Sequence, residues 1–173
     1  YTVGALNLTT TFAGAISNAG DLQGLNITKV GTGNWILSGT STFNGNLLIQ
    51  QGTLTISGSD NNGGLNFETQ TGATLALADG TITTLTLQID TGTTFIGNGT
   101  VNAGLVNDGA AAVSGGPLIV NGSIDNEGTM TVDGGASLTI NGSYLNNGNM
   151  MIDGSSSLAV NLPTGGSGFV NNG

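Results

Sequence analysis

The chain has 173 residues, among them 32 Gly, 25 Thr, 21 Asn and 13 Ser, and its formal net charge is −9. It has no His, no Cys and one side-chain cation, Lys29. These absences exclude Ser-His and Cys-His nucleophile pairs, zinc sites of the usual ligand types, disulfides, bidentate phosphate clamps and a basic footprint for nucleic acid. A hydrophobic content of 37% argues against solvated disorder. No apolar run reaches the length of a membrane span, so no membrane insertion is expected of these residues. Tyr1 follows neither a basic n-region nor an apolar h-region, so any export signal is expected to have been removed.

Residues 1–24 open with YTVGALNLTTTF, a strand-like stretch whose apolar members include Tyr1, Val3, Leu6 and Leu8. It is expected to form an N-terminal strand or cap region, or a strand shared between subunits. Residues 25–161 then follow a period near twenty. Two neighbouring copies read SIDNEGTMTVDGGASLTING (123–142) and SYLNNGNMMIDGSSSLAVN (143–161). Trp35, Leu54, Leu75, Phe95, Leu118, Leu138 and Leu158 each start an alternating triplet, at spacings of 19, 21, 20, 23, 20 and 20. A second pair of columns runs Leu25/Ile27, Leu47/Ile49, Leu65/Phe67, Leu85/Leu87, Ala111/Val113, Met130/Val132 and Met150/Ile152. A third holds Leu105, Ile124, Tyr144 and Phe169. Residues 162–173 begin another copy and are read as an incomplete last rung.

Alternation with period 2 in runs of three to five residues means strands with one buried face. No segment has the 3.6 period of a helix. Three short strands per twenty residues, joined by Gly and Asn, predict a single all-β domain over 1–173. Its expected form is a right-handed parallel β-helix of about eight rungs. Asn98, Asn121, Asn141 and Asn161 follow the main column, and Asn107, Asn126, Asn146 and Asn171 form another set. Either set can stack its amides in a ladder; Asn-Gly turn chemistry is the simpler alternative for single cases.

Residues 12–57 contain FAGAIS followed by LNITKVGTGNWILSGTSTFNGNLLIQQGTLTISG. The opening at 14–17, the Thr-Lys-x-Gly-x-Gly core at 28–33, the strand at 35–39, Phe43 with Gly45, and the closing Gly-Thr-Leu strand at 52–56 carry a resemblance. Together they resemble the autotransporter-associated β-strand repeat, also called the passenger-associated transport repeat. Asn46 stands where that pattern has a second Gly, and residues 18–26 form an insert. The resemblance implies an exported right-handed β-helix used as a stalk, passenger or adhesive surface, and it implies no activity.

Asp108 with Glu127, and Asp133 with Asp153, are in-register acids on successive rungs. Such pairs can serve glycoside hydrolysis or calcium, or can be solvated turn residues. The third reading is preferred, because no aromatic platform or cation accompanies them, so no catalytic or metal residues and no cofactor are assigned. The loop at 59–64 lacks the acid count of an EF-hand. The outward column Ile36, Thr55, Ala76, Ile96, Ile119, Thr139 and Ala159 is too mixed for an ice-binding Thr array. Its Ile36, Ile96 and Ile119 make an apolar strip explained equally by strand propensity or lateral packing. Sequons occur at Asn7, Asn26, Asn98, Asn121 and Asn141, and the last three, being Asn-Gly at predicted corners, read more simply as turn chemistry. The expected function is non-enzymatic: a secreted or cell-surface structural protein that assembles head to tail into a filament or sheath. Tyr1, Val3, Leu6, Leu8, Phe169, Val170 and the three Ile residues are its candidate contacts. A passenger stalk or adhesin that binds glycans is the alternative.

Overall fold

The computed structural model describes residues 1–18, 24–62, 66–164 and 168–173. Every paired strand is parallel to its neighbours, no helix is present among the described residues, and the chain winds a β-solenoid of about seven turns. Eight levels of strand on one wall, from Thr10–Phe12 to Asn149–Ile152, bound those turns. Parallel connections of this kind are right-handed almost without exception.

Three faces enclose the core. On the first, Ile27 stacks on Leu47, Phe67, Leu87, Leu105, Ile124, Tyr144 and Phe169 in turn. Two residues on, the inward column is Lys29, Ile49, Thr69, Ile89, Asn107, Asn126, Asn146 and Asn171. The second face stacks Trp35, Leu54, Leu75, Phe95, Ala111, Met130 and Met150. The third places Ser41, Asp60, Ile82, Val101, Val120, Ile140 and Val160 inward. Burial alternates along strands such as Thr129–Val132 and Ser137–Ile140, as a pleated wall with one dry side requires.

The predicted main column is therefore two half-columns. Trp35, Leu54, Leu75 and Phe95 belong to the second face, whereas Leu118, Leu138 and Leu158 belong to the third. The second predicted set splits at the same point, since Ala111, Met130 and Met150 continue Phe95. The cause is a change in corner length. After Phe95 the chain turns from the second to the third face through Gly97 and Gly99, and one rung later residues 114–117 are interposed at that corner. The 23-residue step from Phe95 to Leu118 is the trace of that insertion. Leu105, Ile124, Tyr144 and Phe169 do share one column, as the spacing predicts. Leu85 is exposed rather than core, and Leu65 lies outside the described residues.

Gly97 shows how tight the corner is. It has φ 125°, and a Cβ there would lie 1.9 Å from the carbonyl oxygen of Leu77 on the preceding rung. Gly154, on an open loop, has nothing within 4 Å of such an atom. Gly97→Ala is expected to destabilise the chain by roughly 3 kcal/mol or more. Gly154→Ala is expected to stay within about 0.5 kcal/mol. Chemical denaturation of the two variants side by side measures this difference.

Candidate functional site

The first polar feature is inside the solenoid, where the first face turns into the second. Corner carbonyls there cannot all join the backbone ladder, and the inward side chain beside them donates instead. Lys29, 1% exposed, sends its Nζ to the carbonyls of Val30 (2.7 Å), Gly31 (2.8 Å) and Gln51 (3.1 Å). Burial lowers its pKa. Two rungs on, Thr69 donates to the carbonyl of Gln88 at 3.3 Å and pairs with the Thr93 hydroxyl at 2.9 Å.

The same column then becomes an amide ladder. Asn107 donates to Asn126 Oδ1, Asn126 to Asn146, and Asn146 to Asn171, each at 2.5 Å. Second contacts run to corner carbonyls: Asn107 to Thr129 (3.0 Å), Asn126 to Gly128 (3.4 Å) and Asn146 to Gly148 (3.3 Å). The first three of these asparagines are fully buried. The ladder stops upstream because Ile89 offers no donor, and Asn107 Oδ1 is left without a partner.

A second ladder runs outside, along the third face. Asn161 donates to Asn141 (2.8 Å), Asn141 to Asn121 (2.7 Å), Asn121 to Asn102 (2.8 Å) and Asn102 to the Thr83 hydroxyl (3.1 Å). Asn98 is not a member; it pairs with Asp79 at 2.5 Å. Asn102 takes its place, and the dipeptides Val101-Asn102, Val120-Asn121, Ile140-Asn141 and Val160-Asn161 carry the signal that finds it. The two ladders are polarised oppositely: the inner donates toward the C-terminal rung and the outer toward the N-terminal one.

The paired acids staple turns. Asp108 accepts from Gln88 at 2.9 Å and Glu127 from Asn147 at 2.6 Å. Asp153 accepts from Gly134 N at 2.8 Å, bridging to the preceding rung's loop, and from Ser155. Hydrogen bonds from Ser156, Gly134 and Ser155 hold its carboxyl well below the usual carboxylate range. No group of three His, Cys, Asp or Glu among the described residues is placed to hold a metal. Of the loop at 59–64, residues 59–61 are strand, and Gly63 and Gly64 lie outside the described residues.

The sequon amides are likewise committed. Asn7 Oδ1 accepts from Thr32 N, and Asn26 Oδ1 from Asn46 N. The outward isoleucines do not form one strip. Ile36 and Ile96 lie on the second face, and Ile119 lies on the third between Thr100 and Thr139. Their separation follows from the same corner insertion.

At the N-terminal end, Val3 stacks beside Lys29 and Thr10–Phe12 on Trp35–Leu37, so this stretch pairs with its own chain. Tyr1, Leu6 and Leu8 remain exposed. An apolar cavity of about 400 Å³ opens there between Tyr1, Phe12, Ile16, Leu25 and Trp35, which is why Trp35 is only partly buried. At the other end Phe169 sits against Tyr144, ring centroids 5.3 Å apart, and is half exposed together with Val170.

A scan of family models, a search of curated proteins and a search of solved structures each return no match to this chain. Asn126→Leu, which removes the middle of the inner ladder and strands polar atoms on Asn107 and Asn146, is expected to destabilise by about 2–4 kcal/mol. Asn141→Ala, in the outer ladder where water replaces the lost partner, is expected to cost under about 1 kcal/mol. Urea unfolding of both variants checks the contrast.

Proposed function

We propose that the chain is a non-enzymatic structural solenoid of the cell exterior, a rod segment of a filament, sheath or surface stalk. The observation that carries this reading is the continuous stack of parallel rungs with amide ladders inside and out. Each rung bonds to the next through backbone and side chain together, and such a stack transmits load along its axis. The resemblance of residues 12–57 to autotransporter passenger repeats supports an exported location. The described terminal strands, Thr2–Val3 and Phe169–Asn171, are each paired on one edge only. Further rungs add there by the same ladder, whether they come from more chain or from a second copy. In the second case contacts are head to tail and do not close, so they make filaments. Tyr1, Leu6 and Leu8 at one end and Phe169 and Val170 at the other supply the apolar contacts.

A glycan-binding surface is the second reading, and the third face favours it. Its outward ranks run Thr40, Ser59, Thr81, Thr100 in one line and Thr42, Asn61, Thr83, Asn102 in the other, short and uncharged. Ile119 and Ala159 interrupt the pattern further along.

Purified chain is expected to sediment as concentration-dependent, end-to-end polymers and to show rods in negative stain. A variant lacking residues 1–12 is expected to stay folded and shorter. A chain that remains monomeric at all concentrations contradicts head-to-tail assembly, and selective retention on a glycan array would favour the second reading.

A further inference from the structure

Among the described residues, Asp60 is the one inward carboxylate of the third face, stacked between Ser41 on the rung before and Ile82 on the rung after. It is 1% exposed, and neither of its oxygens has a hydrogen-bond partner. Two residues on, on the same side of the strand, Asn62 is fully buried with its Oδ1 equally unpartnered. Three buried acceptor atoms within three residues of chain therefore receive no hydrogen bond, and an ionised carboxylate has no proton to donate. A proton changes that, because a neutral carboxyl has an O–H to donate and no charge to bury.

No nearby charge does this job. The inward residues packed against Asp60 on the adjoining strands are Ser41 and Phe43 before it and Ile82 and Thr84 after it. On the second face the same rungs present Leu37, Ile56 and Leu77, and on the first Leu47, Phe67 and Leu87. The inward cation, Lys29, has its ammonium committed to three carbonyls. Further along the column the inward residues are Val101, Val120, Ile140 and Val160, none of which titrates.

We propose that Asp60 is a proton-operated latch: protonated, it closes the rungs around residues 40–62 and 81–84, and ionised, it opens them while the C-terminal rungs stay shut. Burial pushes its carboxyl up to about 7 from 3.8, in the direction the latch requires. The contribution to stability is then complete below about pH 4 and is lost as pH rises to about 7, with local opening increasing by up to about tenfold per pH unit. Rungs contact only their neighbours, so such opening can remain local.

Hydrogen exchange followed by mass spectrometry at pH 5 to 8, corrected for intrinsic rates, tests this on the full chain. Protection over 40–62 and 81–84 is expected to fall with pH, while that over 124–160 holds. Asp60→Asn, the neutral isostere, is expected to remove the slope. Asp60→Val, which continues the apolar column, is expected to remove it and raise protection at pH 8. Equal slopes in both regions, or a slope that survives in both variants, overturns the latch. So does protection at pH 8 that depends on sodium rather than choline at equal ionic strength, since a bound cation and not a proton would then hold Asp60.

Discussion

In a parallel solenoid each inward side chain rests on its counterpart about 4.8 Å away, and everything else in this molecule follows from that spacing. A column works when each member tolerates, or bonds to, the one before and after. Apolar residues do so by contact. Polar residues do so by hydrogen-bonding to a neighbour, because a buried polar group left without a partner costs free energy. The inner column of the first face solves this three ways in one line: Lys29 on three carbonyls, Thr69 on a carbonyl and a hydroxyl, and four asparagines on one another. Asp60 departs furthest from this rule, since both of its carboxyl oxygens are buried without a protein partner.

The Gly, Thr and Asn excess acquires distinct roles from this geometry. Gly97 makes the tight passage between faces, where any side chain would strike the rung before. Asn forms the ladders, and Thr supplies much of the outward surface of the third face. The carboxylates lie mainly at loops and corners, where Asp108, Glu127 and Asp153 accept from neighbouring rungs. A net charge of −9 is thus spread along the rod and away from the uncharged ranks of the third face.

Fold class, strand period and the inner amide ladder were legible from alternation and a twenty-residue register. The join between halves was not. A corner of four residues one rung after a corner of one residue shifts one face onto the next without breaking the local alternation, so Phe95 aligns with Leu118 by pattern and with Ala111 in space. The same slip put Asn98 in place of Asn102 and ran Ile119 together with Ile36 and Ile96. Asp60 escaped notice for a different reason: Ser-Asp-Asn-Asn-Gly-Gly reads as a turn, and only the pairing of Ser59–Asn61 with Thr40–Thr42 turns its carboxyl inward. Register across rungs carries that information, and local sequence does not.

Polar side chains inside the rod are thus held largely by one another along its axis. Side-chain amide hydrogen exchange of Asn107, Asn126 and Asn146, resolved by ¹⁵N NMR, tests it most directly. These three amides are expected to be protected to the same degree as the backbone amides on the same strands, with the outer Asn141 and Asn161 far less protected. Exchange of the inner amides at the rate of free asparagine in an otherwise folded chain would contradict it.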